Sequence, residues 1–224
     1  MSRHVSDCNN RSSLGCEQDT LMSVYFHKHD LPDSLSLGPV VAIDTETLGL
    51  NLQRDRLCLV QLSAGDGDAH LVQIAAEQKP CPNLKHLLAD LACEKLFHFG
   101  RFDIAMLKQH IGPLSGPVFC TKIASKLCRT YTDRHGLADL CRELLGLDIS
   151  KQQQSSDWGA DELSKAQRDY AAGDVLYLHQ LKDKLTNMLV RLDRLQMAEN
   201  CFAFLSARTD LDLAGFETLD IFHH

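Results

Sequence analysis

The chain has 224 residues, 44% of them hydrophobic, which is enough apolar material for one good core and gives no sign of a second domain of similar size. Its formal charge of -7 and pI near 5.8 exclude a protein that coats duplex nucleic acid through many phosphate contacts, but they leave room for a short strand held at a local cationic patch. Nine cysteines without a CxxC spacing read as buried thiols in a reducing compartment; no run reaches membrane-spanning length, so the cytoplasm is expected and a membrane partner is not.

Residues 1–21 are polar and aperiodic and are expected to form a disordered extension, with Met22, ahead of "SVYFHKHDLP", as an alternative start to Met1. "VVAID" (40–44), "LCLVQLSA" (57–64) and "AHLVQI" (69–74) then read as consecutive strands, the last two joined by the turn "GDGD" (65–68). A helix is expected at "NLKHLLADL" (83–91), a strand at "KLFHF" (95–99), a helix at "RFDIAMLKQHIG" (101–112) and a strand at "VFCT" (118–121). "KIASKLCRTY" and "LADLCRELLG" follow as helices, the second stopped by Gly146. Ser164 and Gln167 form a capping box for a long helix through "QRDYAAGDVLYLHQLKDKL", and a last helix covers roughly Leu192 to Leu205. The pattern predicts a single α/β domain over 22–205, a mixed sheet flanked by helices, with a tail at 206–224.

Asp44 and Glu46 stand two apart on the apolar strand "VVAIDTET", so both project from one face. Two acids on an interior strand repel each other and lose hydration, so either a cation offsets them or the strand lies at an edge with one wet face. Tyr170 and Asp174 stand four apart on a helix and share a face; Asp103 sits just inside a helix that follows a strand. Four carboxylates and a phenol from separate segments suit magnesium or manganese. Taken singly, a Tyr/Asp pair fits a solvated helix face and a lone Asp fits a cap.

The order "DTE", "HFGRFD", "YAAGD" resembles the three motifs of the DEDD exonuclease superfamily, and Tyr-x-x-x-Asp in the third marks its DEDDy, ribonuclease D-like branch. "DTETLGL", "RDRLCLVQLS", "LFHFGRFD", "CTKIASKLCRTYTDRHGL" and "SKQQQSSDW" are similar to the nanoRNase C family of that branch, whose members degrade very short RNA. The resemblance implies a ribonuclease H-like (DnaQ-like) fold and a 3'-5' exoribonuclease that releases nucleoside 5'-monophosphates by a two-metal-ion mechanism. Asp44, Glu46, Asp103 and Asp174 would hold two Mg2+ or Mn2+ ions, and Tyr170 would position or deprotonate the attacking water.

For substrate, the resemblance points to Leu50 as an apolar wedge against the bases, with Thr47 and Leu48 beside it; a loop leucine closing the core fits equally. His98, Phe102 and Trp158 are candidates to touch sugar or stack on a base, Trp158 because it lies in the polar loop "KQQQSSDWG". Phe102 also fits a core position. Ser155, with Lys151 and the three glutamines between them, makes a donor-rich loop for phosphate, or a flexible linker. Lys122, Lys126 and Arg129 recur at helical spacing, with Arg134 and His135 beyond, as a phosphate patch or an ordinary solvated face.

Ribonuclease D proper carries further helical domains, and their absence after Asp174, with the acidic charge, disfavours a long or folded RNA. The tail "LDLAGFETLDIF" sets large apolar residues beside acids and is expected to pack on a neighbouring subunit; the resemblance implies a ring-like homo-oligomer, an octamer, that admits short single strands of RNA. The competing readings are a ribonuclease D-like enzyme trimming tRNA or other longer 3' ends, and a non-catalytic RNA-binding scaffold.

Overall fold

A computed structural model describes residues 23–77, 79–150 and 152–224; the expected disordered extension, Met22 and Lys151 lie outside them. Ser23–Lys28 forms strand β1, which sequence reading missed because "SVYFHK" mixes apolar and basic residues and carries no period of its own. It is made a strand by a non-local partner, β4 (Asp68–Gln73), with which it pairs in parallel from Ser23 opposite Asp68 to Lys28 opposite Gln73. Along the chain β2 (Val40–Thr47) and β3 (Leu57–Ser63) come between these two, and β5 (Glu94–Phe97) and β6 (Val118–Cys120) complete one mixed sheet in the order β1-β4-β3-β2-β5-β6. The antiparallel meander β2, β3, β4 and the parallel pairs β2·β5 and β5·β6 give the expected α/β mixed sheet flanked by helices.

Every residue of β3 is buried, Gln61 and Ser63 included, so its mostly apolar run "LCLVQLS" is covered on both faces. Each large apolar side chain there contributes about 1.5–3 kcal/mol through loss of water contact. Around the sheet run α1 (Pro82–Ala89), α2 (Arg101–His110), α3 (Thr121–Cys128) and the short α4 (Leu137–Leu140), which widens into a final turn at Cys141–Leu145 and stops at left-handed Gly146, φ 73°. The Ser164 capping box opens α5 (Lys165–Leu176). The long helix expected from there is interrupted at Tyr177 (φ -104°, ψ 0°), so that α5 packs on the meander strands while α6 (Leu178–Arg191) turns to pack on α3.

The last helix, α7, runs Leu195–Leu211 and passes through the expected domain boundary at 205. It starts late because Asp193 adopts a left-handed φ of 55°. It runs on because Leu205 and Thr209 still face buried surroundings. The seven cysteines among the described residues are free thiols. No helix among them is long and apolar enough to cross a membrane.

Candidate active site

Strand β2 carries Asp44 and Glu46 to the floor of a cleft, and α5 lays Asp174 against them: carboxylate oxygens of the three lie within 4.8 Å of one another. Asp103, from the first turn of α2, stands beside this trio. It is 6% exposed and accepts a 2.6 Å hydrogen bond from the Thr45 hydroxyl. Burial, followed by repulsion from Asp103, Asp174 and Glu46, holds the Asp44 carboxyl well above the usual range. Burial, then repulsion from Asp174 and Asp103, pushes Glu46 up to about 9. Burial raises Asp174 to about 7 against the hydrogen bond from Tyr170, and Asp103 to about 6 against that from Thr45.

Such a cluster is unfavourable alone and fits a hard divalent cation, whose charge would let all four acids ionise. A second observation agrees: Gln61, opposite Asp44 in the β2–β3 register, is fully buried with neither amide atom hydrogen-bonded, an orphaned amide beside the acids that the water shell of a cation would satisfy. Tyr170 faces Asp174, and burial together with the surrounding carboxylates raises its phenol far above the ordinary value. Before cations neutralise those acids, it keeps its proton.

The loop after β2 is built around one carboxylate. Asp55 accepts from the backbone N–H of Asn51 at 2.9 Å, and Gly49 passes so near that a Cβ there would lie 2.3 Å from Asp55 Oδ2. This tight loop holds Leu50 80% exposed at the cleft edge, a display that burial energetics do not explain. Thr47, Phe102 and His98 line the same cleft. Thr121 Oγ1 donates to Phe97 O and so accepts from His98 Nδ1 at 2.9 Å, which assigns the proton to Nδ1 and leaves Nε2 an acceptor. Burial and then Lys122 push His98 down to about 3, so the ring is neutral at physiological pH.

Several expectations need correction. Trp158 is 3% exposed and packs with Leu59, Leu71 and Leu163 in a second apolar cluster, its ring 6.0 Å from that of Tyr170; it has no face for a base and instead backs the phenol. The loop's polar composition hid this, because one large ring turned inward leaves no periodicity. Ser155 is exposed but off the cleft, which is lined by Ser150 and Gln154 instead. Leu48, though half-exposed, crowds Gly159 rather than the cleft. Arg129 belongs to no phosphate patch: it is fully buried, bonded to Ser125 Oγ, Arg134 O and Glu143. Lys122 does line the cleft, over the ring of Phe99 at 3.7 Å. Thr45, Gln61 and Phe99 were missed. Thr45 carried a signal, a hydroxyl between two acids on a buried strand; Phe99, left-handed at φ 64°, carried none.

The sequence profile of a family described as 3'-5' exonuclease matches residues 23–190. The chain belongs to this exonuclease family. Among curated members, ribonuclease D of Granulibacter bethesdensis is 35% identical over 173 residues, 77% of this chain and 43% of its own length. The chain thus spans less than half of that relative. Among solved exonuclease structures, Brucella melitensis NrnC with bound Mg2+ is 57% identical with a TM-score of 0.87, covering 91% of this chain and all of that one. Brucella melitensis NrnC bound to pGG is 58% identical with a TM-score of 0.88, covering 91% and 99%.

Proposed function

We propose that the protein is a metal-dependent 3'-5' exoribonuclease that degrades RNA of a few nucleotides to nucleoside 5'-monophosphates. The observation that carries this reading is the convergence of Asp44, Glu46 and Asp174 within 4.8 Å at the floor of a cleft of about 670 Å3, a size suited to one small ligand. The near full-length likeness to an NrnC bound to pGG supports a short substrate. The same reading takes in a homo-oligomeric ring of eight subunits and action in the cytoplasm, which free, largely buried thiols suit.

Asp44, Glu46, Asp103 and Asp174 would hold two Mg2+ or Mn2+ ions, which when bound supply charge neutralisation at the phosphate and a more acidic water. The chain's own residues do the rest. Thr45 fixes Asp103 through its hydroxyl. Tyr170, held from behind by Trp158, orients the attacking water by hydrogen bonding. Leu50 and Phe102 position bases across the cleft, while His98 Nε2 accepts a sugar hydroxyl and Lys122 pairs with phosphate.

The test is cleavage of 5'-labelled RNAs of two, seven and twenty nucleotides with Mg2+, Mn2+ or chelator, for the native protein and Asp103→Asn. Fastest loss of the dinucleotide, only with metal and abolished in the variant, is the expected result. Stepwise shortening of the longest RNA at an equal rate transfers the protein to 3'-end trimming, and no hydrolysis leaves a scaffold.

A further inference from the structure

The chain beyond α7 enters the active-site cleft. Asp212, 4% exposed, is gripped by two guanidinium groups: Arg101 donates from Nε at 2.6 Å and Nη2 at 2.7 Å, and Arg208 from Nη2 at 2.5 Å and Nε at 3.1 Å. The same guanidinium groups reach the following turn, Arg101 to Glu217 O at 2.7 Å and Arg208 to Phe216 O at 2.5 Å. Gly215, at φ 93°, reverses the chain between these contacts. On its other side the segment is tied to the loop that displays Leu50, through Gln53 Nε2 to Leu213 O at 3.3 Å. It therefore bridges the helix that carries Asp103 and the loop that carries Leu50, and Asp212, Glu217 and Thr218 line the cleft with the catalytic acids.

We propose that residues 212–218, clamped by Arg101, Asp212 and Arg208, form an intrachain stop that restricts the length of RNA the cleft accepts. The proposal rests on the short-RNA reading above. Because Glu217 and Thr218 line the same cleft as the acids, they take up room that a strand extending past the acids on that side would need. Charge acts in the same sense: Arg101 and Arg208 hold Asp212, and Glu217 adds a carboxylate to the cleft lining, which disfavours a further phosphate there. Asp212 is thus a positioning residue, acting through the segment it holds.

The experiment measures kcat and KM with Mg2+ on a diribonucleotide and a heptaribonucleotide for the native protein, Asp212→Asn and Glu217→Gln. A stop predicts that Asp212→Asn shrinks the ratio of dinucleotide to heptanucleotide kcat/KM about tenfold, chiefly by lowering KM for the longer RNA, and that Glu217→Gln moves it the same way by about threefold. An unchanged ratio, or rates that fall together on both RNAs, overturns the proposal. If Asp212→Asn does not fold, Glu217→Gln and Gln53→Ala, both at exposed side chains, decide the matter by the same ratio. A native protein without dinucleotide preference refutes the short-RNA reading itself, independently of the variants.

Discussion

The Thr45 hydroxyl donates to the Asp103 carboxylate at 2.6 Å, joining two residues 58 positions apart inside a buried pocket. The bond orients Asp103 and lowers its proton affinity, so it keeps the acid available to a cation near neutral pH. Thr45→Val preserves volume and removes only the donor. We expect activity to fall by about 10–100-fold, with partial recovery at higher pH or Mg2+. An unchanged rate at limiting Mg2+ would show that Asp103 needs no such support.

The raised carboxylates make a statement about stability. Unfolded acids release their protons near pH 4, whereas Asp103, Asp174 and Glu46 retain theirs until about 6, 7 and 9 in the folded, metal-free chain. Between these limits the native state binds more protons than the unfolded state, so this part of the stability falls as pH rises through the window. Depressed histidines such as His98 act oppositely below about pH 6.5, because there the unfolded state binds more protons. The difference in Tm between Mg2+ and chelator isolates the acids. It is expected to keep growing from pH 5 to about 9; a plateau above pH 5 means that the carboxylates titrate normally.

Leu50 is 80% exposed, so Leu50→Ala should change stability by less than about 0.5 kcal/mol while raising KM for short RNA. Gly49→Ala should raise KM too, because its Cβ meets the Asp55 carboxylate and displaces the whole loop. If Leu50→Ala lowers Tm and spares KM, the leucine serves packing alone.

Gln61 offers the opposite balance. With both amide atoms buried and unpartnered, Gln61→Leu should stabilise the metal-free protein by about 1–3 kcal/mol and weaken Mg2+ binding about tenfold. Denaturant titration with chelator and calorimetric Mg2+ titration read the two effects separately. Loss of stability in the variant would instead make Gln61 an ordinary core residue.

Much of this was legible in sequence because the relevant signals are local. Alternation and unbroken apolar runs marked β2, β3 and β4, the Ser164–Gln167 box marked the start of α5, and two acids in an apolar strand marked the centre of the site. What escaped depends on distant partners. β1 exists through pairing with β4, Trp158 is buried by strands brought beneath it, and Arg129 is drawn inward by Glu143. Arg101 and Asp212, 111 positions apart, gave no local sign that the tail would close one wall of the cleft.

Trp158 is the chain's only tryptophan, and it lies 6.0 Å from the ring of Tyr170, which in turn borders the acids. Its indole N–H is buried without a hydrogen-bond partner, leaving the emission of that one fluorophore sensitive to charge arriving a few ångströms away. The protein therefore carries its own optical gauge: the emission of this one tryptophan is expected to shift when a divalent cation settles among the acids, which a titration with Mg2+ and chelator would read without label or substrate.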